Sequence, residues 1–220
     1  MLQLQRLEKS YQQGAGDIEI FKDLNFQVKK GQKVAIMGRS GSGKSTLLSL
    51  ISGIIKPTNG DVLLDSISYK SLKESELNDF RAENIGFVFQ NFHLITYLNA
   101  LENVMLPARI NAIPNPKEKA IELLKSVGLS HRLTHFPSQL SGGEKQRVAI
   151  ARALIHNPKI ILADEPSGNL DEETGISVMD IFFKLITKNE MTLILVTHSK
   201  DVANRCEKIY ELKSGNLHPC

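Results

Sequence analysis

The chain has 220 residues, 41% of them hydrophobic and 23% charged, and Lys plus Arg exceed Asp plus Glu by 27 − 24 = 3. So slight and dispersed a basic excess makes no case for nucleic acid as a partner, and two cysteines, Cys206 and Cys220, without metal-ligand spacing exclude a disulfide framework and fit a reducing cytosol. The first residues lack the apolar core of a signal peptide, and no apolar run approaches the ~20 residues that cross a bilayer, so no direct membrane insertion is expected.

Strand patterning opens the chain. Leu2 and Leu4 alternate with polar residues, residues 18–21 and 61–64 read as further strands, and residues 33–37 form an apolar run suited to a buried one. A helix carrying Leu47, Leu48, Leu50 and Ile51 ends at Gly53, and a strand follows over 85–89. From about 91 to 156 the pattern turns helical. One helix there has Asn115 as cap, Pro116 in its first turn, apolar Ala120, Leu123, Leu124 and Val127, and Gly128 at its end, the usual asymmetry of helix boundaries. Another starts at Ser141 and stops before Pro158. The last third alternates again, with a strand over 160–163, a helix over 172–188 and a strand over 192–196. Asp171 caps that helix, Glu172 and Glu173 occupy its first turn, and Ile176, Met179, Phe182, Phe183 and Ile186 form one apolar stripe. Cys206 falls in a final helical stretch, as packing. Val/Ile-rich strands alternating with helices predict an α/β fold with a parallel sheet covered on both faces. No repeat or linker divides the chain, so 1–220 reads as one domain, with 91–156 as an inserted helical lobe.

Open parallel sheets bind ligands beyond the carboxyl ends of their strands, so the residues that follow each strand carry the chemistry. After 33–37 comes Gly38-Arg39-Ser40-Gly41-Ser42-Gly43-Lys44-Ser45-Thr46, which matches G-x-x-x-x-G-K-[ST]. In such a loop backbone N–H groups cradle phosphate oxygens, Lys44 reaches the β- and γ-phosphates, and the Ser45 hydroxyl suits Mg²⁺. Gln90 follows the strand at 85–89. Asp164 and Glu165 follow 160–163: the first suits Mg²⁺, and the second can accept a proton from an attacking water. Thr197 and His198 follow 192–196. Ser141-Gly142-Gly143-Glu144 is a capping box, and its two glycines open the helix N-terminus as a second anion site.

Leu140-Ser141-Gly142-Gly143-Glu144 followed by Gln146-Arg147 resembles the signature motif of the ABC transporter ATPases, and the other elements occur in that family's order over essentially the whole chain. The resemblance implies a P-loop NTPase parallel-sheet core with an N-terminal antiparallel β subdomain and an inserted α-helical subdomain. It implies ATP and Mg²⁺ as cofactors. Tyr11 would stack on adenine; Gly38, Ser40, Gly41, Ser42, Gly43, Lys44, Ser45 and Thr46 would bind the phosphates; and Ser45, Gln90 and Asp164 would serve the metal. Glu165 resembles the catalytic glutamate, His198 the switch histidine, Gln90 the Q-loop glutamine, and residues 167–171 the D-loop. Ser141, Gly142 and Gly143 would cover the ATP of a second copy of the chain, giving a head-to-tail dimer with two composite sites. The implied partners are that second copy and integral membrane subunits, the chain lying peripherally on the cytoplasmic face of the inner (cell) membrane. Residues 89–95 and 98–104 are similar to the lipoprotein-release and macrolide-export branch, with Ser167 where Thr is usual. An alternative within the family is an ATP-gated switch on a membrane partner, of the cell-division-regulator type, that moves no cargo.

Overall fold

The computed structural model describes residues 1–14 and 16–220, with the backbone alone at Gln13. In chain order the elements are β1 (Leu2–Gln13), β2 (Gly16–Val28), β3 (Lys33–Met37), α1 (Lys44–Ile51), β4 (Asn59–Leu64), β5 (Ile67–Ser68), α2 (Glu74–Asn84), β6 (Ile85–Val88), α3 (Ala100–Ile110), α4 (Pro116–Ser126), α5 (Gly142–Leu154), β7 (Ile160–Asp164), α6 (Glu172–Lys188), β8 (Thr192–Val196), α7 (Lys200–Ala203), β9 (Lys208–Lys213) and β10 (Asn216–Pro219). They fall into two compact units, residues 1–81 with 192–220 and residues 82–191.

The first unit contains an antiparallel sheet in the order β2-β1-β4-β5. Leu2 pairs with Val28 on one side and Leu64 on the other, and all three are fully buried. The unit's second set of strands is parallel: β3 lies between β8 and β9, and β10 closes onto β9 as an antiparallel hairpin. Val34, Ala35 and Ile36 and the whole of β8 are buried, which is why both segments read as unbroken apolar runs rather than alternating ones. Leu47, Leu48, Leu50 and Ile51 bury one side of α1.

In the second unit β6 and β7 pair in parallel, from Ile85 opposite Ile160 to Val88 opposite Ala163. Around them α6 buries Val178, Met179, Phe182, Phe183 and Ile186, and α5 buries Val148, Ala149, Ile150 and Ala151.

The strands at 33–37 and 192–196 and the helix at 172–188 take their expected bounds. Other expectations need correcting. Ile176 is 58% exposed, because in its turn the core-facing position is Gly175 and Ile176 falls at the edge of the buried stripe. Asn115 is the N-cap residue of α4, as expected, but in a left-handed conformation its side chain makes no capping hydrogen bond. Cys206 lies in a bend after the four-residue α7, not in a helix, and burial pushes its thiol up to about 12. The two-residue β5 and three longer elements were not anticipated. Helix α2 has Leu77 as its one buried apolar residue, and β9 and β10 expose most of their length, so none of them carries a strong apolar period.

Candidate functional site

In the first unit, Ile36 of β3 lies opposite Val196 of β8, so the loop at 38–43 and the segment Thr197-His198 leave adjacent parallel strands at the same end. The Thr197 amide donates to Ile36 O (3.2 Å), which ties the two exits together. Gly43 enters α1 with φ 97°, a left-handed value, and a Cβ there would lie 2.8 Å from Ile20 Cγ2 and 3.1 Å from Phe21 Cζ. Both restrictions select glycine. Strand β2 thus presses on the loop, and the same strand pairs Ile18 with Tyr11. Tyr11 stays 43% exposed, with Lys9 Nζ 4.8 Å from its ring centroid, a cation–π contact.

Lys44 is the buried cation of this loop. Only 8% exposed, it donates from Nζ to Gly38 O (2.9 Å) and Arg39 O (3.0 Å). An ammonium has three N–H groups, so two carbonyls fix its direction and one donor remains for a ligand oxygen. Helix α1 has no side-chain cap and no acid in its first turn. Its orphan N–H groups and the ammonium favour an anion at the same place. Ser42 Oγ is buried without a hydrogen-bond partner in the described structure, which suits a group that serves a ligand. Ser40 and Gly41 stand exposed at the loop's outer side, as does Ser45 in the first turn of α1, where Thr46 is half-buried.

In the second unit, β6 delivers Phe89 and Gln90, and its parallel neighbour β7 delivers Asp164 and Glu165 at the same end. Glu165 has φ 44°, a conformation that costs a side-chain-bearing residue roughly 1–2 kcal/mol. Such strain collects at functional sites. Its carbonyl accepts from the Gly168 amide (2.9 Å), and the Leu170 amide donates to Ser167 O (3.1 Å), so residues 165–170 form two successive tight turns.

Ser141 caps α5: its Oγ accepts from the Glu144 amide (3.2 Å), and Glu144 Oε2 accepts from the Ser141 amide (2.8 Å). Arg132 Nε donates to Glu144 Oε1 at 2.8 Å. The Ser141 amide and the Arg132 guanidinium hold the Glu144 carboxyl below the usual carboxylate range, outweighing the opposing effect of burial. The glycines have a packing role beyond an open N-terminus. A Cβ on Gly143 would lie 2.4 Å from Thr174 Cγ2, and one on Gly142 would lie 3.2 Å from Leu170 Cδ2. The signature turn is therefore seated against the start of α6.

Arg152, missed by the sequence reading, and Gln146, named there only as part of the signature motif, hold the segment after β6. Arg152 donates through Nη1 to His93 O and through Nη2 to Phe92 O (2.7 Å). Phe92 and His93 are both left-handed, with φ 59° and 47°, so the guanidinium bonds the carbonyls of two strained residues. Gln146, fully buried, approaches Phe89 O at 3.5 Å. The helix that begins at the signature thus also grips the residues around Gln90. The available signal was a lone arginine inside the run Val148-Ala149-Ile150-Ala151-Arg152-Ala153-Leu154, where an unpaired charge would be costly.

A strand, a glycine loop and a helix around a buried lysine, together with adjacent carboxylates at a second strand end, define a P-loop nucleoside triphosphatase. Residues 21–168 match the family model described as "ABC transporter". Over 220 residues the chain is 45% identical to the lipoprotein-releasing system ATP-binding protein LolD of Legionella pneumophila (strain Lens), covering 99% of this chain and 97% of that protein. It is 45% identical over 219 residues to the macrolide export ATP-binding/permease protein MacB of Rhodopirellula baltica, covering 98% of this chain but 32% of that protein. A solved structure described as the dimeric post-hydrolysis state of the ATP-binding cassette MJ0796 bound to ADP and Pi superposes with a TM-score of 0.90 at 44% identity, covering 99% of this chain and 96% of that one. The chain belongs to the ABC transporter family. It is the ATP-hydrolysing subunit of such a transporter.

Proposed function

We propose that two copies of this chain close around two ATP molecules with Mg²⁺ and, by hydrolysing them, drive an integral membrane partner that extracts or exports an envelope substrate. The observation that carries this reading is the pairing, in one chain, of an uncapped phosphate-loop helix around Lys44 with a second glycine-rich helix start at Ser141. The relatives named for lipoprotein release and macrolide export support the envelope direction, and the dimeric ADP-bound relative supports the pairing. The helical stretch 91–156 is then the lobe that presents Ser141, Gly142 and Gly143 to the partner copy's ATP.

The division of labour follows from the side chains. Tyr11 offers a ring face to adenine. Lys44 and the first amides of α1 take the β- and γ-phosphate oxygens. Ser45, Gln90 and Asp164 supply oxygen ligands of the kind Mg²⁺ prefers, and the ion, when bound, offsets charge on the phosphates. Glu165 takes the proton of the attacking water as its oxygen bonds the γ-phosphorus. The bond from that phosphorus to the β-γ bridging oxygen breaks, and ADP leaves. His198, held beside the loop by Thr197, orients the γ-phosphate and water. No helix among the described residues is long and apolar enough to cross a membrane. In this reading the chain takes a peripheral place on the cytoplasmic face, beneath membrane subunits that hold the cargo.

Glu165→Gln is expected to keep ATP binding and lower turnover by ~10²–10⁴-fold. Tagged Glu165→Gln protein, drawn with ATP from detergent-solubilised membranes, should recover an integral membrane subunit with a large extracytoplasmic domain. Recovery of soluble partners alone would defeat the transport reading. Recovery of a membrane partner whose reconstitution shows ATP-driven shape change without cargo movement would favour the switch.

A further inference from the structure

The residues around Gln90 contain a hydrogen-bond ring whose polarity is fixed by one backbone group. Asn169, in the turn after Glu165, lies within bonding distance of Gln90 O (3.1 Å). A carbonyl oxygen can only accept, so the atom facing it is Asn169 Nδ2. The same Nδ2 reaches Asn91 Oδ1 at 2.7 Å. The other end of that amide is then Oδ1, an acceptor, and its partner in the Gln90 side chain, 3.1 Å away, must be the donor Nε2. One carbonyl therefore settles the orientation of both amides and leaves Gln90 Oε1, the only atom of that side chain able to ligate a cation, on the side turned from Asn169. Gly168 makes room for this arrangement: a Cβ there would lie 2.9 Å from Gln90 Nε2.

We infer that Asn169 is a positioning residue that locks the Gln90 amide with its oxygen presented to the nucleotide-bound divalent cation. This rests on Gln90 serving that cation, as proposed above. Without Asn169 the Gln90 amide is free to rotate, and about half of its orientations present N–H groups that repel the ion. Groups that orient a metal ligand by bonding its far side typically control metal affinity by ~10–100-fold. Hydrogen bonding through Asn169 also makes the turn at 165–170 and the segment at 90–91 one body, so the ligand amide and the strained Glu165 backbone keep a fixed relation.

The test is the affinity of the full chain for Mn²⁺ in the presence of the β,γ-imido analogue of ATP, read from the electron paramagnetic resonance of unbound Mn²⁺. Analogue affinity without metal and thermal melting are measured alongside. Asn169→Ala should weaken Mn²⁺ binding by ~10-fold, leave metal-independent nucleotide affinity unchanged, and add nothing in a Gln90→Ala background. In a Gln90→Glu background, where either carboxylate oxygen can face the ion, Asn169→Ala should likewise have no effect. If Gln90→Ala weakens Mn²⁺ binding while Asn169→Ala does not, Asn169 has no positioning role and the reading of Gln90 survives. If Gln90→Ala has no effect, the metal role of Gln90 and this inference fall together. A full additional loss from Asn169→Ala in the Gln90→Ala protein would show that Asn169 acts by another route and would overturn the inference.

Discussion

Helices α1 and α5 both begin with glycine-rich turns and both offer orphan amides, yet they are finished in opposite ways. The α1 start has a left-handed glycine, no side-chain cap and no acid in its first turn, and a buried lysine tied to two loop carbonyls. The α5 start is closed by its own Ser141–Glu144 box, braced by Arg132 and packed on Thr174 and Leu170. An uncapped terminus with its own cation can hold a triphosphate alone. A terminus already capped, with an acid in its first turn, is stable without a ligand and has less to offer an anion. In the proposed function the first is a binding site in itself. The second, in the same reading, is a rigid surface that contributes only when another group brings the phosphate to it.

Removing the cation should break the comparison most severely. Lys44→Ala deletes a charge-assisted contact to phosphate and two internal bonds, and ATP affinity should fall by ~100-fold, on the order of 3 kcal/mol; titration calorimetry would read it, and an unchanged affinity would deny the lysine its phosphate role. On the other helix, Gly143→Ala forces a methyl onto Thr174 and should cost about 1–3 kcal/mol in urea unfolding. Thr174→Ser removes the opposing methyl, so the pair Gly143→Ala/Thr174→Ser should recover most of that loss. If the single variant is as stable as the wild type, the signature turn is not seated on α6. The smallest effect is electrostatic. Glu144 is held below its ordinary range, so its contribution to stability is fully present above the unfolded value near 4.3 and is lost as pH falls through the folded one. Glu144→Gln should lower stability at pH 7 by about 1 kcal/mol and flatten that acid-side slope, and denaturation at a series of pH values would register both.

Much of this was legible before any coordinates. The phosphate loop, the acids after β7 and the histidine after β8 announced themselves because each follows an apolar run, and Asp171 marked the start of α6 as written. The capping box at Ser141 was equally plain. What escaped was tertiary. That Gly143 is needed because Thr174 lies against it depends on how α5 and α6 pack, which no local spacing encodes. Arg152 and Asn169 act on residues 59–60 and 78–79 positions away in the chain. Helix α2 went unseen because one buried leucine does not make a period, and Asn115 marked the N-cap of α4 without revealing that its left-handed backbone leaves the side chain out of the cap.

The most direct test of the contrast places an obstacle on the α5 terminus alone. In a Glu165→Gln background, ATP affinity and sedimentation are measured for the parent, for added Ser141→Arg and for added Lys44→Ala. The account predicts that Ser141→Arg binds ATP as the parent does but stays monomeric at saturating ATP, whereas Lys44→Ala loses both binding and pairing. An ATP-dependent dimer of the Ser141→Arg protein, or a loss of ATP affinity in its monomer, would contradict the division between a terminus that binds and a terminus that completes.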